Sequence, residues 1–502
     1  MRPRFDKNSI LCFLIGSLLL IYSSLRAALL SFTFDEASTY LDFARGPWSL
    51  VLLKGAGLSP TNHFLNTAFI KLLAPVLGLG ELALRLPNVL AHLLYLIATY
   101  RLVRPLQRAA LVVGGFLLLN TNPFVLDFFS LARGYGLGLG FLAASLACLD
   151  GSLRSHKRRV LWEMSALCFA FLSVLSNLTF LLFFASLAGL FFLLHWGDLP
   201  KLAVLAVLMI LGGAFAVPPL WTMQKIGALY FGGTAGFWTD TVSSLIECTM
   251  YDLPVSGEAL LGVEALLVLV LVGGWLTLIV GIGDFNAHER IGASWPALLV
   301  LGCSLASMAA HKVFGVRFPI ERSAILFVPL FFMSLLYTLW VLAKSTAGRA
   351  VHLADGIAIA AAMACLMNLA AAANVTHARS WEDQSDVKEF FRDLTARHSA
   401  EGGGNRRLAA TWTLLPSAEY YRVAWELTWL SPIERLDANL GADYYFARPW
   451  QKGLVRAMCA VVLRRYPQTG NVFAQSPWSP SARKTPAGTP TTLVKRREPA
   501  SL

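Results

Sequence analysis

The chain has 502 residues, of which 56% are hydrophobic and only 14% charged, and its net charge is +12. Soluble domains carry about 25% charged residues, so the composition excludes an ordinary soluble enzyme and indicates a protein solvated largely by lipid. The positive balance does not indicate a nucleic-acid partner, because Lys and Arg fall in short loops between apolar runs and form no basic patch on a soluble module.

The first element follows Arg2, Arg4 and Lys7 and runs from Ile10 to Leu30. It is too long for the apolar core of a cleaved signal peptide, so an uncleaved first span is expected. Arg26, about one turn from its outer end, is placed to snorkel to the interface. Further runs of spanning length lie near 86–103, 109–126, 133–150, 160–177, 178–195, 201–220, 258–282, 293–312, 323–343 and 352–372. The run 63–79 is also apolar, and loop charges decide how it counts. With 63–79 on the surface, Arg101/Arg104/Arg108, Arg154/Lys157/Arg158/Arg159, Lys201, His288/Arg290 and Lys344/Arg349 share one side with the basic N-terminus. The opposite loops then carry Asp35, Glu36, Asp42, Asp127, Asp240, Glu247 and Asp252. Eleven spans thus satisfy the positive-inside rule, and a twelfth would invert every later loop. The expectation is a cytoplasmic N-terminus and an extracytoplasmic C-terminus, with 42–56 and 63–79 as juxtamembrane helices.

After Ala373 the composition is that of a small soluble domain. Val387, Phe390, Phe391 and Leu394 lie on one helical face, while Leu408–Leu415 and Ala460–Leu463 read as strands. From Pro467 onward Pro, Ser and Thr dominate, ending near Lys495-Arg496-Arg497, which predicts disorder. The division is therefore 1–373 for the membrane domain, 374–466 for an α/β domain and 467–502 for a tail. Within the first, 31–85 and 221–257 form the long outer loops. The fold class is an all-α polytopic membrane protein carrying a small extracytoplasmic α/β domain.

The seven cysteines (Cys12, Cys148, Cys168, Cys248, Cys303, Cys365 and Cys459) show no metal-ligand spacing. Five lie in apolar runs as small hydrophobes. Cys248 and Cys459 fall in segments predicted to be exposed, and a disulfide between them is open.

The polar residues that topology does not explain converge on one side. Asp35-Glu36 opens the first outer loop, and His63 begins the interfacial run. Arg85 starts the second span, four residues after Glu81, so a local pair is the alternative there. Asp127 precedes Ala132-Arg133-Gly134-Tyr135 at the fourth span; it is alternatively a helix cap or a partner of Arg133. Arg322 begins the tenth span. Carboxylates and arginines at one membrane face suit transfer of a sugar from a polyprenyl phosphate. The arginines stabilise the departing phosphate, and a carboxylate takes the proton of the incoming hydroxyl. Helical neighbours point about 100° apart, so Asp35 and Glu36 cannot both address one atom. One is the base, and the other orients it, binds acceptor or holds a divalent cation.

These motifs resemble those of the GT-C superfamily, in particular bacterial relatives of protein O-mannosyltransferases and of the aminoarabinose transferases that modify lipid A. The matching segments are Asp35-Glu36, Asn62-His63, Arg85-Leu86-Pro87 and Ala132-Arg133-Gly134-Tyr135, and the likeness spans about residues 10 to 340. The sequence departs in having Phe64-Leu65 where the family places proline after His or Lys. The resemblance implies an inverting glycosyltransferase of the bacterial inner membrane. Asp35 would be its base, Asp127 the second-loop acid and Arg322 a lipid-phosphate contact, with His63, Arg85, Arg133 and Tyr135 in the binding set. Its partners would be a polyprenyl-phosphate-linked sugar, membrane lipid, and a glycan, lipid or protein acceptor. No cofactor is required by the sequence; a divalent cation on Asp35, Glu36 and Asp127 is compatible, though no ligand spacing demands one. A lipid-linked sugar flippase would place charges near the midplane and show related halves, which this chain lacks. An inactive assembly partner with the same fold is the other alternative.

Overall fold

The computed structural model describes residues 6–479 except 53, 155–157, 252, 254–256, 280–286, 346–347 and 438–440. Arg2, Arg4, Lys157, Asp252 and the chain beyond 479, including Lys495-Arg496-Arg497, lie outside the described residues, as do the side chains of His288 and Arg290. The chain forms two compact units: Met1–Leu30 with Asp35–Ser380, and Ser31–Phe34 with Trp381–Leu502.

The first unit is helical. Helix α1 (Lys7–Leu29) starts at Asp6, whose carboxylate accepts from the Ser9 amide at 2.9 Å. A short α2 (Phe34–Ser38) runs into a wider turn, Thr39–Ala44, before α3 (Trp48–Val51). The single helix expected over 42–56 is therefore broken, because Gly46-Pro47 interrupts the backbone ladder. Next come α4 (Phe64–Leu77), α5 (Glu81–Val103), α6 (Ala109–Asn120), α7 (Pro123–Phe129), α8 (Gly134–Arg154), α9 (Arg159–Ser176) and α10 (Leu181–Leu194). The series continues with α11 (Leu199–Lys225), α12 (Ser244–Thr249), α13 (Gly257–Ile279), α14 (Ala287–Phe314), α15 (Phe327–Ser345) and α16 (Arg349–Ala372).

Among the described residues nine helices are long and apolar enough to cross a membrane, or ten if α6 and α7 form one span bent by 61°. Pro123 has no amide hydrogen to continue α6, and Asn122 caps α7 by accepting from Val125 N at 3.2 Å, so the bend is fixed locally. With the shorter apolar helix Leu178–Leu194, all eleven segments expected to span are helical. The 14-residue α4 reaches only about 21 Å, short of the roughly 30 Å hydrocarbon core. Large exposed side chains on these helices are apolar, among them Leu199, Ile210, Leu269 and Met367. This is an integral membrane protein. Helix α8 packs against α5 and α9, and the approach to α5 is close enough that a Cβ on Gly140 would sit 2.8 Å from the Ala91 carbonyl oxygen.

In the second unit, α17 (Val387–Ala400) buries Val387, Phe390, Phe391 and Leu394, the face read from the sequence. Strand β1 (Leu408–Ala410) leads into α18 (Leu415–Ala424), followed by β2 (Glu434–Arg435), β3 (Tyr444–Ala447), α19 (Lys452–Ala457), β4 (Val461–Arg465) and β5 (Val472–Gln475). The sheet order is β2-β1-β3-β5-β4, with β1 parallel to β2 and β3 and with β5 antiparallel to both β3 and β4. Two expectations change here. The strand predicted over Leu408–Leu415 stops at Ala410, because Pro416 suits a first helical turn and starts α18. The tail predicted from Pro467 instead supplies β5 to the sheet interior, since Val472, Phe473 and Ala474 are buried despite their Pro/Ser/Thr-rich surroundings. All seven cysteines are free, and Cys248 is buried, so the disulfide left open with Cys459 is not formed.

Candidate active site

Helix α2 turns two neighbouring acids to different partners. Glu36 faces inward, where Arg85 of α5 donates Nε to Oε1 at 2.8 Å and Nη2 to Oε2 at 2.7 Å, with both side chains fully buried. Arg85 thus pairs with Glu36, 49 positions away. Its Nη1 donates to the carbonyls of Ala27 at 3.1 Å and Leu30 at 2.9 Å, which closes the end of α1. Glu36 Oε1 also accepts from the Ala132 amide at 2.5 Å, fixing the segment that delivers Arg133.

Asp35 is 7% exposed and lies between two arginines. Its Oδ2 is 3.4 Å from Arg133 Nη2 and 3.8 Å from Arg322 Nη2, yet accepts no hydrogen bond. Arg133 is largely committed to the backbone: its Nη1 donates to Asp35 O at 3.2 Å, Thr39 Oγ1 at 3.1 Å and Thr61 O at 3.1 Å. Arg322, on the short 3-10 turn Glu321–Ala324, is more open, with 22% of its side chain exposed. It lies 4.6 Å from the centre of the Phe231 ring and engages the Tyr135 hydroxyl.

His63 sits at the entry to α4, edge-on to Tyr135 with ring centres 5.2 Å apart. Burial, with Arg133 and Arg322 nearby, holds its imidazole well below the ordinary value, and its Nε2 has no hydrogen-bond partner. The packing around it needs Gly134, where a Cβ would lie 1.8 Å from Ser176 O and 2.8 Å from His63 Cβ. His63 and Tyr135 line a cavity of about 380 Å³, together with Asn177 and Arg317. The walls are apolar, from Leu178, Leu182, Leu220 and Phe314 on the elements around α10, α11 and α14. A mostly apolar lining with a few polar groups matches an amphiphile with an anionic head.

Asp127 belongs to a separate knot. Arg26 Nη1 is 2.5 Å from its Oδ1, the Tyr251 hydroxyl donates to Oδ2 at 3.0 Å, and the Arg379 amide donates to Oδ2 at 2.9 Å. Asn122 takes the cap position, so Asp127 is neither the cap nor the partner of Arg133 that the sequence left open. Arg26 is 1% exposed and does not snorkel: beyond Asp127 it donates to the His377 carbonyl at 2.5 Å. Sequence reasoning missed Arg26, Tyr251 and Arg379 as parts of this knot. The available signal was an arginine inside an apolar run, which is costly unless paired. Among the described residues no three acids, histidines or cysteines gather closely enough to hold a metal ion, so Asp35, Glu36 and Asp127 do not form a shared cation site.

No protein-family model matches the chain, and no curated protein sequence matches it. Solved structures do share its fold. The crystal structure of ArnT from Cupriavidus metallidurans in the apo state aligns over 93% of this chain and 97% of that one, with a TM-score of 0.52 and 14% identity. The structure of the same protein bound to undecaprenyl phosphate covers the same shares, with a TM-score of 0.50 and 13% identity. At that identity the likeness is one of architecture: this chain shares the fold of those structures, a polytopic helical membrane unit with a small C-terminal sheet.

Proposed function

We propose that the protein is an inverting glycosyltransferase that moves a sugar from a polyprenyl-phosphate donor to a hydroxyl acceptor outside the cytoplasm. The observation that carries this is Asp35 Oδ2, buried between two arginines without a hydrogen bond, next to residues that border a large apolar cavity. The lipid tail occupies the cavity, and its phosphate lies at Arg322, with His63 and Tyr135 in the lining. An acceptor oxygen attacks the anomeric carbon while its proton passes to Asp35. The bond from that carbon to the phosphate oxygen breaks, and the lipid phosphate leaves with both electrons of the bond, stabilised by Arg322. One displacement inverts the anomeric centre. Glu36 and Arg85 hold Asp35 and Arg133 in register and touch neither substrate, and Asp127 fixes the neighbouring helix ends. Undecaprenyl phosphate bound to an ArnT of this fold supports a polyprenyl donor. The loop charges support an inner-membrane setting with the N-terminus in the cytoplasm.

The test uses proteoliposomes containing the purified protein and a radiolabelled polyprenyl-phosphate sugar, with envelope extract as acceptor. Transfer to acceptor that disappears in Asp35→Asn, with normal insertion, is the expected result. Movement of label across the bilayer without covalent transfer points to a flippase. Full activity of Asp35→Asn removes Asp35 as the base.

A further inference from the structure

Arg322 reaches towards Asp35 from a turn whose backbone is strained. Glu321, one residue earlier, has a φ of 47°, in the left-handed region that a non-glycine residue adopts only at a cost. The contact with Asp35 does not impose this conformation, since 3.8 Å from Arg322 Nη2 to Asp35 Oδ2 is too long for a hydrogen bond. Backbone strain persists where neighbouring groups over-determine the chain. Here they act from two directions.

From within, the turn is closed by Ser323. The Ile320 amide donates to Ser323 Oγ at 2.8 Å, and that hydroxyl donates to the Ile320 carbonyl at 2.6 Å. From outside, the connection between α11 and α12 braces the same segment. The Glu321 amide donates to Oγ of Ser244, the first residue of α12, at 3.1 Å, and the Ser244 hydroxyl donates on to the Asp240 carbonyl. Asp240 is itself fixed, because its Oδ2 accepts from the amides of Ala235 at 2.7 Å and Gly236 at 2.9 Å. Earlier in the connection, Gly233 and Phe318 exchange two backbone hydrogen bonds of 2.9 Å each. The Phe318 ring stacks on His311 of α14 at 4.1 Å, which ties this pair to the helices. The connection also supplies Phe231, whose ring centre is 4.6 Å from the Arg322 guanidinium.

We infer that Ser244 is a positioning residue for Arg322 and thereby sets how strongly the site prefers a lipid phosphate over a neutral lipid. Its oxygen meets the Glu321 amide in the left-handed conformation; without it the turn relaxes and the guanidinium moves with it. Ser244 itself touches no substrate. The inference rests on the transferase reading, in which the lipid phosphate lies at Arg322.

The experiment titrates full-length protein in detergent with undecaprenyl phosphate and, separately, with undecaprenol, which has the same tail and no charge. The readout is the ratio of the two affinities. Ser244→Ala should lower this phosphate preference about tenfold and leave undecaprenol affinity unchanged, whereas a general loosening of the cavity would weaken both. Ser244→Thr, which keeps the hydroxyl, should retain most of the preference. In an Arg322→Ala background, Ser244→Ala should change nothing further, because the group it acts through is gone. Adding Glu321→Gly to Ser244→Ala should restore the preference, since glycine takes the left-handed backbone without a brace. Adding Glu321→Gln, which removes the charge and keeps the Cβ, should not. An intact preference in Ser244→Ala, or an equal further loss in the Arg322→Ala background, overturns the role of Ser244 and leaves the transferase reading standing. A preference that Arg322→Ala does not lower removes the phosphate from Arg322, and overturns that reading and this inference together.

Discussion

Arg85 holds Glu36 with two parallel hydrogen bonds of 2.8 and 2.7 Å inside a fully buried contact, while Asp35, one residue earlier, has only looser approaches of 3.4 and 3.8 Å from Arg133 and Arg322. Removing one partner of a buried pair leaves an uncompensated charge, which costs about 3–5 kcal/mol. Glu36→Gln should therefore lower the thermal stability of the detergent-solubilised protein and its folded yield. Glu36→Leu combined with Arg85→Met should recover part of that loss, though not all, because Arg85 also serves the carbonyls of Ala27 and Leu30. Equal stability of Glu36→Gln and the parent protein would refute a structural role.

The two arginines facing Asp35 should separate by phenotype. Arg322→Ala should fold normally and lose about 10²- to 10³-fold in turnover, the scale of one lost charge-stabilising donor. Arg133→Lys should reduce folded yield instead, because a single ammonium cannot both serve the three acceptors of Arg133 Nη1 and stand where Nη2 lies 3.4 Å from Asp35 Oδ2. Size-exclusion profiles alongside donor-dependent kinetics distinguish the two outcomes.

Gly134→Ala places a methyl group where Ser176 O would be 1.8 Å away, so the start of α8 must shift and carry His63 with it. Overpacking of this kind costs about 1–3 kcal/mol. A melting curve of the variant checks it, and a parent-like melting temperature would show that this contact yields freely.

His63 gives the protein an acid-sensitive term. Its folded imidazole stays neutral well below the ordinary value of 6.5, whereas the unfolded chain takes up a proton as pH falls through 6.5. Stability from this residue is therefore constant above that pH and declines below it, by up to about 1.4 kcal/mol per pH unit. His63→Asn should flatten the acid side of the melting-temperature profile. An unchanged acid slope would count against the buried, neutral assignment.

Cysteine labelling tests the orientation. Cys459 is exposed in the C-terminal unit, whereas Cys248 is buried and its thiol is pushed up to about 11, chiefly by burial. A membrane-impermeant maleimide added to intact cells at neutral pH should label Cys459 and spare Cys248. Labelling of Cys459 only after lysis would place the C-terminal unit in the cytoplasm.

Apolar length made the spans legible, because about 20 consecutive lipid-solvated residues have few alternatives to a helix. Loop charge placed Asp35, Arg133 and Arg322 on one side, and the fold brings those three together. The partners within the knots were not legible. Arg85 meets Glu36 across 49 positions and Arg26 meets Asp127 across about 100, distances at which local spacing rules carry no information. Strand β5 escaped because four residues in a Pro/Ser/Thr-rich context have no periodicity to read, although Phe473 stands 5.0 Å from Phe390 in the packed unit. Cys248 looked solvent-facing from its loop and is instead capped by Arg379, whose Nη1 lies 3.3 Å from its sulfur.

Ser31–Phe34 fold with the unit that resumes at Trp381. The Phe32 ring stacks on Tyr420 at 4.0 Å, and its amide donates to Tyr421 across 389 positions. At about 10 residues per second, the ribosome needs roughly 40 s between making Phe32 and making its partners. Ser31–Phe34 thus gains its packing partners only when synthesis is nearly complete. A nascent chain stalled between Arg322 and Ser380 already holds the acids and arginines of the centre but lacks this anchor. Assembly order itself therefore delays the final packing of Ser31–Phe34 until the C-terminal unit has been made.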